Sequence, residues 1–360
     1  MPPGMSLLTK IHFLFLTMMV PLCLPAQEES ASVPDSLTGK FMYESWCARC
    51  HGIDGRGENE DLELEVPVPD FTDCGFTTRE PRKDWLAVIL HGGPERGLSM
   101  TMPAWGEAID EQQAEAIISH IKTFCTEPGW PPGELNFRRA QITTKAFPEN
   151  EALIIPTYTK DATVTRFVYE SRVGSAGQWE VSLPLASTVG AGGGFGPGDV
   201  EIGGKYALLF DEDGPGIFSV GAEVSLPTGR TSQGLGSGAW KLSPFLAAGM
   251  GWEQIILQSS ARVERSLGKD GDAEVSFNLA VTVPLTREKM GLFPMVEFNA
   301  VHFTGSTTLF VTPQVYFGLV KRGHIALSIG SQISVSGKNP YPYKIVGFFL
   351  WEYADGGLWW

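Results

Sequence analysis

The second half of the chain, residues 151–360, alternates between apolar and polar side chains with a period of two. In the segment AEVSFNLAVTVPL, Val275 and Phe277 fall on one face of an extended chain, and Glu274 and Ser276 fall on the other. About eleven or twelve such segments, each of roughly nine to thirteen residues, follow one another with turns rich in Gly, Asp, Asn or Pro between them. A period of two is that of a β-strand and not of a helix. The pattern therefore predicts an all-β second half.

Two architectures accommodate these strands, a soluble β-sandwich and a transmembrane β-barrel. The segments are longer than the strands of soluble proteins, which average about five to six residues. Isolated charges lie on the polar faces, as a water-filled lumen would allow, at Glu170, Glu201, Glu223, Glu264 and Glu297. Aromatic residues gather near the segment ends, like the aromatic girdles of membrane barrels, at Trp179, Trp240, Trp252, Trp351 and Tyr353. We therefore predict an antiparallel transmembrane β-barrel of about twelve strands over residues 151–360.

The N-terminal residues have the layout of a secretory signal peptide. A lysine precedes the apolar run Ile11–Val20, and the small residue Ala26 ends a short stretch suited to cleavage. The apolar run is too short to cross a membrane comfortably as a helix. Cys23 is an alternative site for a lipid anchor, but Leu22 before it is not the small residue that such anchors require. Residues 1–26 are accordingly predicted to direct export.

A C-x-x-C-H motif lies in the first half of the chain and consists of Cys47, Cys50 and His51. This is the attachment signature of c-type haem, because two thiols can add to the haem vinyl groups while the adjacent imidazole reaches the iron. A bare C-x-x-C also occurs in redox-active disulfides and in zinc sites. The neighbouring histidine, the exported context and the lack of a second C-x-x-C in the sequence favour a covalent haem.

A haem bound by this motif needs a sixth iron ligand some tens of residues later, or leaves that position open. The stretch GLSMTMPAWG offers Met102, which Pro103 restricts to an extended backbone suited to reaching the iron. Methionine opposite histidine raises the reduction potential of a haem. Met100, His91 and His120 are the alternative ligands. We predict that Met102 is the ligand.

Residues from about 37 to 126 resemble a class I monohaem cytochrome c. The similarity is carried by the stretches CARCHGIDGRG, DWLAVILHGGPERGLSMTMPAWG and IDEQQAEAIISHIKTF. The resemblance implies a small all-α cytochrome c domain, residues 27–128, that is wrapped around one covalent haem c. The implied haem-binding residues are the thioether-forming Cys47 and Cys50 and the axial iron ligands His51 and Met102. The predicted fold class is thus multidomain, with a small all-α domain followed by the barrel.

Two further cysteines, Cys74 and Cys125, depart from the pattern of this family. Disulfide bonds persist in exported proteins, so we predict a bond between these two residues. A pair of buried free thiols is the alternative.

The chain is acidic, with a formal net charge of −14 and a pI near 4.9. This composition argues against nucleic-acid binding, which requires basic patches. Residues 27–128 hold 20 Asp and Glu against 8 Lys and Arg, and they include the insert ENEDLELEVPVPD. The acidic surface is either an ordinary solvated surface or a docking face that steers a cationic redox partner.

Residues 129–150 are rich in proline and turn-forming residues. They interrupt the helical period of the first half and precede the period-two pattern of the second. We predict that they form a Pro-rich linker between the two domains.

The barrel segments resemble the family of outer-membrane barrels assigned to transport in phenol-degradation pathways, through GDVEIGGKYALLF and VSLPTGRTSQGLGSGAWKLSPFLAAG. Such barrels typically end on an aromatic residue, commonly phenylalanine, and this chain has Trp360 there. The combination of domains resembles monohaem cytochrome–porin fusions. This resemblance implies electron transfer at the bacterial outer membrane, either from a haem domain anchored in the periplasm or by a haem at the pore mouth that passes electrons across.

Electron transfer is the function that these features favour, with redox donor and acceptor proteins or an extracellular donor or acceptor as partners and with outer-membrane lipid around the barrel. The alternative is transport of a small molecule by the barrel, with the cytochrome domain tethered to it or sensing the redox state. An enzymatic role such as a haem peroxidase is disfavoured, because the sequence offers no distal acid–base residue for peroxide chemistry. We predict that the chain is not an enzyme.

Overall fold

The computed structural model describes residues 38–57, 66–126, 130–190, 192–210, 214–252, 254–268, 273–285, 288–337 and 343–354. The expected signal peptide, residues 58–65 of the acidic insert and Trp360 lie outside the described residues. Within these ranges, no helix combines the length and the apolar character needed to cross a membrane.

The first part of the chain is a small helical domain. Its helices are α1 (Gly39–Met42), α2 (Ala48–His51), α3 (Cys74–Thr77), α4 (Arg82–His91) and α5 (Glu111–Lys122). A π-helical turn, Tyr43–Cys47, joins α1 to α2, and a 3-10 turn, Gly93–Arg96, follows α4.

The longest helix, α5, forms where its sequence supplies both a start signal and an apolar stripe. The Asp110 carboxylate accepts a hydrogen bond from the backbone N–H of Gln113, and the side-chain oxygen of Gln113 accepts one from the backbone N–H of Asp110, which completes a capping box. The buried stripe Ala114, Ile117, Ile118 and Ile121 has helical spacing. Helix α1 crosses it so closely that a Cβ at Gly39 would lie 1.9 Å from the carbonyl oxygen of Ala116. The crossing therefore requires glycine at this position.

The second part of the chain is a closed antiparallel barrel. Its strands are β1 (Glu151–Tyr158), β2 (Ala162–Val173), β3 (Gly177–Thr188), β4 (Phe195–Pro197), β5 (Val200–Phe210), β6 (Gly216–Leu226), β7 (Lys241–Gly251), β8 (Ile256–Ser266), β9 (Ala273–Thr282), β10 (Gly291–Phe303), β11 (Ser306–Gly318), β12 (Ile325–Ser336) and β13 (Tyr343–Glu352). Strand β1 pairs with both β2 and β13, which closes the sheet, and the short β4 adds to β3 outside the ring of twelve. The predicted fold class is confirmed.

The period-two pattern sorts side chains between the outside and the lumen. Leu208, Phe277 and Ile329 are 53%, 55% and 56% exposed on the outer face. Their counterparts on the inner face, such as Asn278 and Ser328, are buried. The charges predicted for the lumen also point inward: Glu170 and Glu297 are buried, and Glu201, Glu223 and Glu264 line an internal cavity.

The two ends of the barrel differ in their connections. We call the end at which β1 starts the proximal rim; it includes Glu151, residues 288–290 and the turn 319–324. The opposite end is the distal rim, and it carries the long loop 227–240 and the tight turn 304–305. In outer-membrane barrels the longer loops face the outside of the cell and the shorter turns face the periplasm.

The segment predicted as a linker runs inside the barrel. Residues 135–149, which we call the lumen plug, follow a 3-10 turn (Gly133–Leu135) and contain no other helix or strand. Their partners come from strands all around the wall: Gln258 on β8 donates to the carbonyl of Arg138, Lys205 on β5 donates to that of Lys145, and Gln141 donates to Ser328 on β12. A segment bonded to opposite walls of a closed barrel must lie in its lumen.

An apolar cluster seals the plug at the proximal part of the lumen. Leu135, Phe137 and Phe147 pack against small residues of the wall, namely Ala176, Ala207 and Ala247. A Cβ at Gly251 would lie 2.4 Å from the ring of Phe137, so the wall is glycine where this ring approaches it. The domain limits remain predictions, but this segment is not a free tether.

Candidate functional site

The haem-attachment motif lies on one short stretch of helix. Cys47 ends the π-helical turn, and Cys50 and His51 end α2, so the three side chains project from adjacent turns. Both cysteines are free and partly buried. Burial, together with the neighbouring thiol of Cys50, raises the pKa of the Cys47 thiol to about 11. The two thiols are therefore close together and not joined in a disulfide.

His51 occupies a dry, aromatic environment. Its ring stacks on Phe71 with 4.7 Å between ring centroids, and the hydroxyl of Tyr43 donates to the carbonyl of Gly52 at 2.7 Å. Burial lowers the pKa of His51 to about 4, so the imidazole is neutral at physiological pH, as a metal ligand must be. Its Nδ1 atom is buried and has no hydrogen-bond partner among the described residues. A neutral histidine beside two free thiols fits a covalent haem.

The loop that carries Met102 is held by backbone hydrogen bonds. The N–H of Gly93 donates to the carbonyl of Met102 at 3.0 Å, and the N–H groups of Trp105 and Gly106 donate back to the end of α4 at 2.9 Å. Met102 is half-buried, whereas Met100 is 87% exposed. The loop thus constrains the backbone of Met102 and leaves the Met100 side chain in solvent, and the choice of Met102 as the ligand stays a prediction.

The two histidine alternatives occupy other positions. His91 is exposed at the end of α4. His120 packs its ring against Tyr43 and Phe124, with centroids 5.3 and 5.1 Å away. Burial lowers the pKa of His120, as expected for a histidine packed against aromatic rings.

We expect Met102→Ala to remove the methionine–iron band from the absorption spectrum of the oxidised protein. The reduction potential of the haem in this variant should fall by on the order of 0.1 V, because axial ligands tune haem potentials over roughly 0.8 V. Met100→Ala is the matched control, since it removes the same side chain two residues away and should change neither quantity. A wild-type spectrum in Met102→Ala would exclude this residue as the ligand.

A stacked tryptophan pair joins the two halves of the candidate haem site. Trp46 precedes Cys47, and Trp105 follows Met102 in the loop. Their rings stack with 5.9 Å between centroids and 18° between planes, and Trp46 is 37% exposed. The sequence signal for this pair is a tryptophan beside each haem-binding motif, and only the fold shows that the two rings meet.

A disulfide bond joins Cys74 to Cys125 across 51 residues. Cys74 starts α3, and Cys125 lies shortly after α5 ends. The bond therefore ties α3 to the end of the helix that forms much of the core. It closes a loop that would otherwise be free in the unfolded chain.

We expect the double variant Cys74→Ser, Cys125→Ser to lose about 2–4 kcal/mol of unfolding free energy, because the bond restricts the unfolded chain. Urea titration of the haem domain, followed by haem absorption, measures this. Dithiothreitol should shift the unfolding midpoint of the wild type to lower urea concentration and leave the midpoint of the variant unchanged. Equal midpoints for wild type and variant would show that the bond is not formed or not stabilising.

Glu297 on β10 is a central anchor of the lumen plug. Its side chain is fully buried, and its carboxylate accepts hydrogen bonds from the backbone N–H groups of Gln141, Ile142 and Thr143 at 2.6 to 3.2 Å. The Thr143 hydroxyl and the Gln314 amide donate to the same carboxylate at 2.6 Å. This arrangement satisfies a buried charge with several donors and fixes the plug backbone.

A second anchor consists of buried ion pairs near the proximal rim. Arg139 of the plug pairs with Glu151 at 3.0 Å and with Glu170 at 2.5 Å. Lys145 of the plug pairs with Glu149 and with Glu151. Buried charges are tolerated only when they are compensated, so these pairs stabilise one arrangement of plug and wall.

A cavity of about 820 Å³ extends from the plug toward the distal rim. Its lining includes six carboxylates and six cationic side chains: Glu170, Glu180, Glu201, Glu223, Glu264, Glu274, Arg139, Lys145, Arg166, Lys205, Arg262 and Lys344. Several are paired inside the lumen, such as Arg262 with Glu223. The lumen is thus polar and charged on the distal side and filled by the plug on the proximal side.

Residues 34–121 match the sequence model of the family described as cytochrome C oxidase, cbb3-type, subunit III. No curated protein matches the chain. Among solved structures, an outer membrane channel from Pseudomonas putida F1 is similar at a TM-score of 0.43 and 11% identity, over 60% of this chain and 99% of that one. The KdgM porin is similar at 0.40 and 8%, over 56% and 98%. LpxR from Salmonella typhimurium is similar at 0.33 and 9%, over 56% and 99%. The helical domain is thus cytochrome c-like and precedes a twelve-stranded barrel.

Proposed function

We propose that the protein is an electron carrier in which one covalent haem c is anchored at the bacterial outer membrane by a plugged β-barrel. The observation that carries the proposal is the pair of free thiols beside a partly buried His51 that is stacked on Phe71, with a cytochrome c family match over the same residues. Cys47 and Cys50 would form the thioethers, and His51 and Met102 would be the axial ligands. The protein would not be an enzyme.

When bound, the haem supplies an iron that takes up and releases one electron. The residues of the chain determine how it does so. Phe71, which stacks on His51, and the apolar core beside Cys47 would exclude water from a haem held there, and the Met102 loop would offer a thioether that favours the reduced state. The exposed Trp46 lies beside the attachment site, on a surface that a redox partner protein can reach.

The barrel supports a location in the outer membrane. Its outer face is apolar around the ring, and a closed barrel leaves no unpaired strand edge in lipid. Exposed aromatic residues near the strand ends, such as Trp179 and Trp252, fit the interfacial girdles of such barrels. With the longer loops outside the cell, the proximal rim and the haem domain would face the periplasm.

Anchoring is better supported than conduction of electrons through the barrel. The haem domain contacts the proximal rim: Arg96 bonds Glu288 at 3.2 Å, and Lys321 donates to the carbonyl of Pro94 at 3.2 Å. The lumen beyond contains the plug and a charged cavity, and the described residues include one haem-attachment motif. Electrons would have to cross an apolar band of about 25 Å without a second haem. Conduction of electrons through the barrel is the more specific hypothesis, and the resemblance to cytochrome–porin fusions is the reason to test it.

Transport of a small solute is the second candidate, and the cavity favours it. A charged space of about 820 Å³ on the distal side is large enough for a small molecule. The sequence resemblance to barrels of phenol-degradation pathways fits the same candidate. The plug, however, would have to leave the proximal lumen before a solute could pass.

Two measurements test the proposed function together. Haem staining and the absorption spectrum of the full-length protein should give one low-spin, covalently bound haem per chain. The same protein should fractionate with the outer membrane and require detergent for extraction. A high-spin iron that binds small ligands would favour an enzyme or a sensor, and a protein that stays soluble without detergent would contradict the anchor.

A further inference from the structure

We infer that the barrel positions the methionine ligand of the haem. Residues of the proximal rim hold the turn from which the Met102 loop starts, so the barrel would set the axial ligation and the reduction potential. The inference rests on the proposed function, in which Met102 binds the iron. It adds positioning residues that lie on the barrel: Glu288, Lys289 and Lys321.

The first link is a chain of ion pairs between the two domains. Asp84 on α4 is buried and accepts a hydrogen bond from Nε of Arg96 at 3.0 Å. Lys289 of the rim pairs with the other oxygen of the same carboxylate. Arg96, itself only 6% exposed, also pairs with Glu288 at 3.2 Å. Charges of both domains therefore compensate one another at this contact.

The second link is the 3-10 turn Gly93–Arg96, which lies between the rim and the ligand loop. At one end Arg96 bonds the rim, and Lys321 donates to the carbonyl of Pro94 at 3.2 Å. At the other end the N–H of Gly93 donates to the carbonyl of Met102 at 3.0 Å. Three hydrogen bonds or ion pairs thus lead from the rim to the backbone of the predicted ligand.

The turn has little room to move independently of the loop. A Cβ at Gly93 would lie 2.2 Å from the carbonyl oxygen of Ser99 and 3.2 Å from Cβ of Met102. Leu98 also donates its N–H to the carbonyl of Gly93 at 2.9 Å. A displacement of the turn would therefore displace Met102, because the two backbones are packed against each other.

A neighbouring cation of the proximal rim, Arg322, provides a control for the contacts of Lys289 and Lys321 with the haem domain. Arg322 lies next to Lys321 in the same turn and carries the same charge. Within the described part of the chain, no hydrogen bond or ion pair of Arg322 with the haem domain is present. Removing its charge leaves the chain of contacts in place.

The experiment uses full-length holoproteins. It compares the wild type with the double variant Lys289→Gln, Lys321→Gln and with the single variants Lys289→Arg, Arg322→Gln and Met102→Ala. The readouts are the methionine–iron band of the oxidised form and the reduction potential, and haem staining verifies equal loading. We expect the double variant to lose most of the band and to have a lower potential. Lys289→Arg should retain both quantities, and Arg322→Gln should match the wild type.

Three outcomes would overturn this inference, and the first two separate its failure from that of the ligand assignment. If Met102→Ala abolishes the band while the double variant keeps the wild-type band and potential, the barrel does not position the ligand and the ligand assignment stands. If Met102→Ala itself keeps the band, Met102 is not the ligand, and the inference falls with that assignment. A double variant that lowers the potential with the band intact shows an effect of charge alone and also overturns it.

Discussion

Replacing both Cys47 and Cys50 by serine is expected to abolish covalent haem attachment completely. In the proposed function each thiol would form one thioether bond, and no other free cysteine lies among the described residues to replace them. The variant chain should therefore show no haem stain on a denaturing gel and no c-type absorption bands after extraction with acid and solvent. Barrel assembly should persist, because both residues lie in the helical domain.

The single variants serve as graded controls for this experiment. Cys47→Ser and Cys50→Ser each leave one thiol beside His51 and should retain part of the covalent haem. The barrel of every variant should still migrate faster before heating than after, as folded outer-membrane barrels do. Haem that remains bound to the double variant under denaturing conditions would contradict the proposed attachment.

Glu297→Lys is expected to expel the lumen plug and open the barrel to ions. The backbone N–H groups of Gln141, Ile142 and Thr143 donate hydrogen bonds to the Glu297 carboxylate. The substitution places a cation opposite these three donors. Each buried donor left without a partner costs about 1–3 kcal/mol, and the new cation would itself be buried without a counter-charge at this position. Single-channel recording in a planar bilayer should show conductance in the variant and none in the wild type.

Glu264→Lys is the matched control for the plug experiment. This residue also lines the lumen, but it pairs with Lys241 on the neighbouring strand at 2.5 Å, and the pair is about one-third exposed. An exposed pair contributes at most about 1 kcal/mol, so the plug should stay in place. Stable open-channel conductance in the wild type would contradict the plugged barrel and favour solute transport.

The sequence predicts those parts of this structure that depend on local patterns. A period of two fixes which face of each strand is apolar, so the inward direction of Glu170 and Glu297 follows from their neighbours in sequence. The haem motif is equally local, because Cys47, Cys50 and His51 span a single turn. Both the barrel and the candidate haem site are therefore recognisable from short stretches.

The lumen plug could not be predicted from the sequence, because its position inside the barrel depends on contacts with residues that are distant in the chain. Residues 135–149 contain one proline and mixed polar side chains, which is also the composition of a linker. Thr143 and Glu297 are 154 positions apart, and only the closed barrel brings them together. The rim contact between Arg96 and Glu288 spans 192 positions and escapes sequence patterns for the same reason.

Reconstitution of the full-length protein into lipid vesicles that enclose ferricyanide tests the central claim most directly. A membrane-impermeant reductant is added outside, and the haem spectrum and the ferricyanide colour are followed together, with detergent added last to expose every haem. An anchored carrier predicts that the outward-facing haem is reduced while the enclosed ferricyanide keeps its colour. Loss of that colour before detergent, in the wild type but not in the Cys47→Ser, Cys50→Ser variant, would show electrons crossing the barrel and would contradict the account.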